Sequence, residues 1–241
     1  MPVLNNLYGL QKTIESIQKQ TYTNFEVWII DGGSSQETQN YLQNLKHPFQ
    51  FLSEKDTGIY EAMNKGISLS KAEWFYFLGS GDVLIDNFVF ETVVDIIENE
   101  NSKIIAGKIS YDGFSQPFIY SKNKLLKNPS WNFSMWIRNG LHHQGTFYKK
   151  ELFKNRFYSL RYKILSDYHF NLSLYLNKEK CKIINTVISK CNSDGISKSG
   201  NWSIYKEEIN LKTSLSLSCF YPIFYTIAFI KFILRKTVNV K

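Results

Sequence analysis

The stretch WFYFLGSGD, residues 74–82, decides the fold that this sequence predicts. Five apolar residues, Trp74 to Leu78, run into a Gly-Ser-Gly turn, and the carboxylate of Asp82 follows. A short, continuously apolar run that ends at glycine is typical of a strand buried on both faces, at the centre of a helix-covered sheet. Because ligands of open α/β sheets bind beyond the carboxyl ends of the strands, Asp82 is placed to hold a divalent cation and, through it, a diphosphate. The alternative is an Asp that caps the helix predicted around 87–99 or stabilises the turn.

The composition is that of a folded, basic protein. The 241 residues are 43% hydrophobic and 16% aromatic, which excludes a disordered chain and fits one large domain, or one domain with an appendage. The net charge of +8 suits an anionic partner such as a nucleotide or an acidic membrane surface. Nucleic acid is not expected as a partner, because the sequence has no recognition motif and no clustered basic and aromatic residues.

The cysteines and the first residues indicate a reducing compartment. Cys181, Cys191 and Cys219 show neither CxxC nor zinc-site spacing, so reduced thiols in the cytosol are expected. The start MPVLNNLYGL lacks a basic segment followed by an apolar one, so no signal peptide is expected.

Strands and helices are predicted to alternate over the first third of the chain. Helices are predicted at 8–20, 36–45 and from 59 to 70, and strands at 25–31, 49–52 and 74–78. Short links between such elements predict βαβ units, a parallel sheet and right-handed crossovers. The second half is less regular, with a helix at 88–98, a strand at 103–109, an excursion over 112–140, a strand entering a helix at 142–153, a helix at 162–177, a strand at 181–191 and a helix from Ser203.

The phosphate-binding motifs of common nucleotide folds are missing. There is no GxGxxG after the first strand and no GxxxxGK[ST], so a glycine-rich backbone cradle for phosphate is not expected. Acids stand at strand ends instead, at Asp31, Asp56 and Asp82. This pattern predicts base or ribose contacts together with a metal-held diphosphate.

Five stretches together resemble the family 2 glycosyltransferases, which have the GT-A fold. They are LQKTIESIQKQTYTNFEVWIIDGGSSQET (10–38), SEKDTGIYEAMNKGI (53–67), WFYFLGSGD (74–82), HHQGTFYKKELF (142–153) and ILSDYHF (164–170), in the family's order. The chain is most similar to the bacterial group that builds exopolysaccharide, capsule and O-antigen, in which Ser-Gly-Asp often replaces the Asp-x-Asp metal motif. The resemblance implies an α/β GT-A fold with a mostly parallel central sheet flanked by helices, in a glycosyltransferase domain over 1–202, followed by a helical tail over 203–241.

The resemblance also implies roles for individual residues. Asp82 would ligate Mg²⁺ or Mn²⁺, and Asp167 would be the general base that deprotonates the acceptor. The nucleotide sugar would be bound by Asp31, Asp56, Asn64, Lys65, Gly81, His143 and Gln144. Among these, Asp31 would receive the base, Lys65 would lie near the phosphates, and His143 and Gln144 would border the sugar and the acceptor.

Several of these residues also have a structural interpretation. Asp31 could stabilise a tight turn before Gly32, Asp56 and Asn64 could cap a helix, and Lys65 could be a solvated lysine. His143 could be a satisfied structural histidine. Asp167 could be a carboxylate in the first turn of a helix, where the dipole favours negative charge.

The implied function is an inverting, metal-dependent transfer of a sugar from a nucleotide-diphosphate sugar to a hydroxyl of a lipid-linked or oligosaccharide acceptor in cell-surface polysaccharide synthesis. The polar loop 192–200, with Ser197 and Lys198, would close over the diphosphate. The protein would act in the cytoplasm at the inner face of the membrane, and a homodimer is an open possibility. The alternative function is a non-catalytic nucleotide-sugar-binding or scaffold subunit of the same pathway.

Two departures from the family pattern concern the start of the chain and the metal motif. The family opens with a longer apolar strand, whereas this chain begins Met1-Pro2-Val3-Leu4, so the first strand is expected to be truncated or very short. Gly81 replaces the first acid of the usual pair and leaves Asp82 alone.

The C-terminal segment 214–236 is strongly apolar and aromatic. Lys231 interrupts its apolar part, 220–234, which we judge too short for the roughly 20 residues of a spanning helix. With Arg235 and Lys236 at its end, the segment predicts a helix in the interface of an anionic membrane. The alternative is a helix that packs on the catalytic domain or in a dimer.

Overall fold

The computed structural model describes residues 1–112, 125–192 and 199–239. Within them the strands are β1 (Pro2–Val3), β2 (Val27–Asp31), β3 (Phe49–Ser53), β4 (Trp74–Tyr76), β5 (Val83–Leu84), β6 (Ile104–Asp112), β7 (Leu126–Lys127), β8 (Thr146–Lys149) and β9 (Cys181–Asn192). The helices are α1 (Leu7–Gln18), α2 (Gln36–Gln43), α3 (Ile59–Leu69), α4 (Val89–Asn99), α5 (Ser166–Leu176), α6 (Trp202–Ser214) and α7 (Tyr221–Asn239). Short 3₁₀ helices lie at Phe133–Trp136, His143–Gly145, Lys150–Phe153 and Ser218–Phe220.

The first half forms the predicted βαβ units. Strands β1, β2 and β3 pair in parallel in the order β1-β2-β3. Helix α1 buries Leu10, Ile14 and Ile17, which share a core cluster with Ile29 of β2. The first strand is only two residues long, as the sequence led us to expect, and the Met1 ammonium donates to the carbonyl of Trp28 at 2.7 Å beside it.

The second sheet is mixed, with strand order β4-β8-β6-β9-β5, and β7 pairs with β6 at its side. Among the described residues, its β6–β9 pair is parallel and its other pairs are antiparallel. Parallel pairing therefore occurs in two places, within the first three strands and between β6 and β9. Strand β4 lies at one end of the second sheet, antiparallel to β8, and this corrects its expected central position.

The residues of 74–78 are nevertheless covered on both faces, as predicted. Phe75 and Phe77 pack into one core cluster, while Trp74, Tyr76 and Leu78 pack into the other. Alternate residues of a strand point to opposite faces, so the two clusters cover the two sides. A continuous apolar run thus reports burial on both faces, but it does not report the position of the strand in the sheet.

The C-terminal part is helical. Leu211 of α6 packs with Tyr168 and Leu172 of α5, so α6 lies against α5. Helix α7 packs on α6 through Phe224 and Ala228. Within the described chain, the segment Ser218–Thr237 is long and apolar enough to cross a membrane by length and composition alone, with a mean hydropathy of 1.3. The helix is therefore longer than the apolar segment 220–234.

Candidate active site

The turn that follows β4 is fixed by the start of α1. The Thr13 hydroxyl contacts the carbonyl of Asp82 at 2.8 Å and accepts the N–H of Gly81 at 2.9 Å. The Asn6 side-chain amide donates to the Ser80 carbonyl at 3.0 Å. Gly81 has φ +104°, a backbone conformation that favours glycine, so a side chain at this position would strain the turn. Gly81, predicted to contact the nucleotide sugar, contributes here by shaping the turn that carries Asp82.

Asp82 is buried, and 8% of its surface is exposed to solvent. Its Oδ1 accepts the backbone N–H of Asn192 at 3.2 Å, and its Oδ2 accepts the Gln144 side-chain amide at 3.3 Å. Burial raises the pKa of this carboxyl, and the Asn192 N–H and His143 only partly offset the effect. Helix α4 begins at Val89, seven residues further on, so Asp82 does not cap it. The capping alternative is excluded.

Asp167 lies in the first turn of α5 and is 8% exposed. Its Oδ1 accepts the Tyr60 hydroxyl at 2.9 Å, and its Oδ2 accepts the Asn139 side-chain amide at 3.0 Å. Asn139 is itself held by the Asn171 side chain at 3.2 Å, and the Tyr148 hydroxyl donates to Asn171 at 2.9 Å. The carboxylate is therefore both a residue of a helix start and the centre of a buried polar network.

The adjacent residues His143 and Gln144 bring the two carboxylates into one site. His143 Nδ1 lies 3.5 Å from Asp167 Oδ2, while Gln144 reaches Asp82. The Tyr76 hydroxyl donates to the Gln144 backbone carbonyl at 2.8 Å, which ties this 3₁₀ turn to β4. Among the described residues, neither His143 Nδ1 nor Gln144 Oε1 has a hydrogen-bond partner, although both atoms are buried. The structure thus unites the predicted metal ligand, base and sugar-bordering pair, and leaves two polar atoms unsatisfied between them.

Asp31 stabilises the turn after β2. Its side chain is fully buried, and its oxygens accept the Ser34 N–H at 3.1 Å and the Ser53 hydroxyl at 2.6 Å. This is the tight-turn role that the sequence left open, and the predicted contact of Asp31 with the base stays a prediction. Asp56 lies beside Gly32, with Oδ2 2.9 Å from the position of a β-carbon there, and it is partly exposed at the carboxyl end of β2. Its predicted contact with the nucleotide stays a prediction.

Asn64 and Lys65 both have partners within the protein. The Asn64 side chain donates to the carbonyl of Tyr158 and accepts its N–H, both at 2.9 Å, so it fastens a loop to α3. Lys65 forms ion pairs with Glu54 at 2.8 Å and Glu61 at 3.1 Å. Their predicted contacts with the nucleotide sugar stay predictions.

Sequence reasoning missed three residues of the site, Tyr60, Asn139 and Lys127. Lys127 donates to His142 Nε2 at 2.7 Å and to the Asn139 carbonyl at 3.3 Å. Burial, with a smaller effect of Arg138, lowers the pKa of Lys127 to about 8, against the opposing effect of Asp167. Two of the three come from the irregular segment 112–140, where no periodic pattern marks them. A buried tyrosine such as Tyr60 resembles any core aromatic in sequence.

Comparison with known proteins shows the family of the chain. The sequence model of Glycosyl transferase family 2 matches residues 1–165. The chain belongs to this family. This glycosyltransferase is 30% identical over 185 residues to the PGL/p-HBAD biosynthesis glycosyltransferase of Mycobacterium bovis (strain BCG / Pasteur 1173P2), an alignment that covers 73% of the chain and 68% of the relative. It is 34% identical over 119 residues to the poly(ribitol-phosphate) beta-N-acetylglucosaminyltransferase TarP of Staphylococcus aureus (strain N315), covering 47% and 36% of the two chains.

Solved structures confirm the predicted GT-A fold of the glycosyltransferase. S. aureus TarS in complex with UDP-GlcNAc superposes with a TM-score of 0.66 at 14% identity, covering 99% of this chain and 81% of TarS. The mannosyltransferase PcManGT from Pyrobaculum calidifontis, in complex with GDP-Man and Mn²⁺, gives a TM-score of 0.66 at 12% identity, covering 98% and 72%. At such identities the likeness shows the fold alone.

The residues around Asp82 fit a divalent cation that takes most of its ligands from its substrate. Within the described parts of the chain, no three His, Cys, Asp or Glu side chains are grouped to hold a metal. Mg²⁺ is usually bound by one or two carboxylates, with waters and substrate phosphates completing its shell. Asp82 would supply one carboxylate, and Gln144 Oε1, which has no hydrogen-bond partner among the described residues, would supply a neighbouring oxygen. The pairing of Ser197 and Lys198 with the diphosphate cannot be compared, because both lie outside the described residues.

Proposed function

We propose that this glycosyltransferase moves a sugar from a nucleoside-diphosphate sugar to a hydroxyl of a lipid-linked or oligosaccharide acceptor, with inversion and with a divalent cation. The observation that carries the proposal is the convergence of Asp82 and Asp167 on the His143–Gln144 pair. One carboxylate beside a cation site and another in a hydrogen-bonded network supply the two functions that such a transfer needs: a place for the leaving diphosphate and a proton acceptor.

Asp167 is the proposed general base. Tyr60 and Asn139 hold its carboxylate from two sides, so its orientation is set before the acceptor binds. The acceptor hydroxyl gives its proton to Asp167 as its oxygen attacks the anomeric carbon, while the bond from that carbon to the diphosphate oxygen breaks. A single displacement of this kind inverts the anomeric configuration. Fixed positioning of the base is itself a source of rate, because no ordering is left to be done in the transition state.

Asp82 and Gln144 would hold the cation, which when bound neutralises charge on the departing diphosphate. The donor class is supported by two structural neighbours whose complexes contain UDP-GlcNAc and GDP-Man. Asp56, partly exposed at the carboxyl end of β2, is the residue that we assign to the nucleoside. His143, on the other side of the site, borders the sugar and the acceptor.

We assign the reaction to cell-surface polysaccharide synthesis, in the cytoplasm at the inner face of the membrane. The names of the relatives support this assignment, since one is a PGL/p-HBAD biosynthesis glycosyltransferase and another is a poly(ribitol-phosphate) transferase. The net charge of +8 favours approach to anionic lipid, where a lipid-linked acceptor would be found.

The test is turnover of a panel of UDP- and GDP-sugars by the purified full chain, with Mg²⁺ or Mn²⁺ and with EDTA. We expect cation-dependent release of nucleoside diphosphate from one donor class, and loss of it in Asp82→Asn. Asp95→Asn, which changes an exposed aspartate on α4, is the matched control and should keep full activity.

Two results would contradict the proposal. Full activity in EDTA would show that the transfer does not require a divalent cation. Nucleotide-sugar binding by calorimetry without any turnover would favour the non-catalytic subunit.

A further inference from the structure

Helix α7 exposes a broad apolar face to solvent. Only 11% of the most apolar 18-residue window within Ser218–Thr237 is buried, whereas a core helix of this hydropathy would be mostly covered. The exposed large side chains of this region are Leu217, Phe220, Tyr221, Ile223, Tyr225, Phe229, Ile230, Ile233 and Leu234. Contiguous apolar surface of this kind marks an interaction site in a folded protein. We call the part on α7 formed by Ile223, Phe229, Ile230, Ile233 and Leu234 the outward face.

The opposite face of α7 is fastened to the catalytic module along the middle of the helix. Phe224 and Ala228 are buried, and the Phe224 ring stacks on Trp136 with centroids 5.7 Å apart. One turn further on, Phe232 packs against Trp202 and Tyr205 of α6. The spacing 224, 228, 232 is that of one side of a helix. The helix is therefore an attached element rather than a free tail.

A buried ion cluster strengthens this attachment. Glu208 of α6 pairs with both Lys212 and Lys231, and both ammonium groups also donate to the Ile137 carbonyl. Lys231 is the charge that interrupts the apolar tail in the sequence, and its side chain is only 18% exposed. The interrupting charge thus faces the protein. The polar residue exposed between Ile223 and Ile230 is Thr226, whose hydroxyl donates to the Pro222 carbonyl at 2.9 Å.

The charges around α7 indicate which kind of partner covers the outward face. After Glu208 the sequence contains no acidic residue, and Arg235 and Lys236 stand near the end of the helix. Tyr221 and Tyr225, with Trp202 against Tyr225, place amphipathic rings at its beginning. Aromatic rings and basic side chains flanking an apolar helix face are the features of a helix that lies in the interface of an anionic membrane.

We infer that α7 lies in the plane of an anionic lipid surface, with its outward face in the lipid and its inward face held by the Glu208 cluster, and that it does not cross the bilayer. The inference rests on the membrane contact proposed above and specifies its geometry. A spanning arrangement would have to pull Lys231 away from Glu208 and leave a buried carboxylate and an ammonium group in or near the hydrocarbon.

The first test is flotation of the full chain with vesicles of phosphatidylcholine containing phosphatidylglycerol. Ile230→Asp and Leu234→Asp should each weaken binding at least about tenfold, because a charge on the lipid face opposes insertion. Leu160→Asp, which changes a leucine of similar exposure on a loop of the catalytic module, is the matched control and should bind as the wild type does. Equal binding of all four proteins would overturn the inference.

The second test distinguishes an in-plane helix from a spanning one. Cys219 is exposed, Cys191 is buried, and burial raises the pKa of Cys181 to about 12, so a thiol reagent should modify Cys219 selectively. A membrane-impermeant reagent added outside the vesicles should modify Cys219 in the wild type, and position 237 in a Cys219→Ser, Thr237→Cys variant. Protection of one of the two ends would show a spanning helix and overturn the inference.

Release of nucleoside diphosphate from the donor separates this inference from the proposed reaction. Ile230→Asp should keep that activity in solution. Vesicle binding without any transferase activity would contradict the reaction and leave the helix geometry standing. Light scattering without vesicles tests the other possible occupant, a second copy of the chain. A wild type that is dimeric and does not bind vesicles, and that Ile230→Asp converts to a monomer, would assign the outward face to a second copy. This result would overturn the inference.

Discussion

At the scale of single residues, the site depends on how Asp167 is held. Two neutral donors, the Tyr60 hydroxyl and the Asn139 amide, reach its two oxygens. The Tyr60 hydroxyl also contacts the Ile164 carbonyl at 2.7 Å, at the loop that leads into α5. Tyr60 therefore connects α3, the loop before α5 and the proposed base, and its hydroxyl acts on the reaction through Asp167.

Removing that hydroxyl tests the positioning role. In Tyr60→Phe, Asp167 loses one of its two donors, and hydrogen bonds to charged groups contribute about 1.5–3 kcal/mol. We expect kcat to fall between about tenfold and a hundredfold while donor affinity, measured by calorimetry, stays unchanged. A parallel loss of donor affinity would show that Tyr60 only supports the fold.

Tyr158→Phe provides the matched control. The ring of Tyr158 lies 5.4 Å from that of Tyr60, and its buried hydroxyl has no hydrogen-bond partner in the part of the chain that the structure describes. Removing an unsatisfied buried hydroxyl should leave kcat unchanged and preserve or slightly raise the melting temperature. A loss of kcat equal to that of Tyr60→Phe would mean that the aromatic packing matters and the hydrogen bond does not.

The sequence predicted which residues would lie together where chemistry and chain position agreed, and the roles of these residues stay predictions. Asp82, His143, Gln144 and Asp167 lie in motifs of the family, and the fold brings them together. For Asp31 the sequence could not decide between its two interpretations, since whether an acid at a strand end faces a cleft or its own turn depends on nearby donors. The Ser53 hydroxyl, 22 residues away, is such a donor and gives no sequence signal of its role.

At the scale of elements, α6 and α7 are joined by the cluster of Glu208, Lys212 and Lys231, which has two positive groups and one negative group. Burial raises the pKa of Glu208, but Lys231 and Lys212 outweigh that effect and hold it below its ordinary value. Burial lowers the pKa of Lys212 from 10.5 to about 8, although Glu208 opposes the shift. One carboxylate therefore compensates the charge of two ammonium groups, and burial disfavours the charged form of Lys212.

This arrangement predicts a pH dependence of stability. Between pH 8 and 10.5 the unfolded chain keeps the Lys212 proton and the folded protein does not, so the free energy of unfolding should rise with pH in this window. Below pH 8 both states are protonated and the cost of the buried charge is constant. Relative to Lys212→Met, which cannot titrate there, the wild type should gain roughly 1–3 kcal/mol across the window.

Denaturant unfolding of both proteins at several pH values measures the difference. Lys206→Met, which removes an exposed lysine from the same helix, is the control and should follow the wild type. Parallel stability curves for the wild type and Lys212→Met would show that Lys212 keeps an ordinary pKa in the folded protein.

Element existence was easier to predict from the sequence than element placement. The apolar run 74–78 correctly predicted a strand buried on both faces, because two core clusters share its alternate residues. Its position at the end of a mixed sheet follows from pairing with Thr146–Lys149, which lies about 70 residues further along the chain. Long-range pairing of this kind leaves no local periodicity in either strand.

At the scale of the whole molecule, the chain combines a catalytic module and an attached apolar helix in one basic protein. The site is built from both halves of the module: Asp82 follows β4, while Asp167 begins α5. The order of motifs along the chain was sufficient to predict the GT-A fold. The network that orients Asp167 was not predictable, because its members come from four separated segments that only the folded chain brings together.

The central claim is that Asp167 accepts the acceptor's proton, and Asp167→Asn tests it most directly. The substitution keeps the size of the side chain, and the Tyr60 hydroxyl can donate to Ile164 and accept from the new amide, so the fold should survive. The measurement is kcat for sugar transfer beside donor affinity by calorimetry, with Asp95→Asn as control. We predict a loss in kcat of about 10²–10⁴-fold with unchanged donor affinity, because the base acts only as the acceptor attacks. A near-normal kcat, or an equal loss of donor affinity, would contradict the assignment.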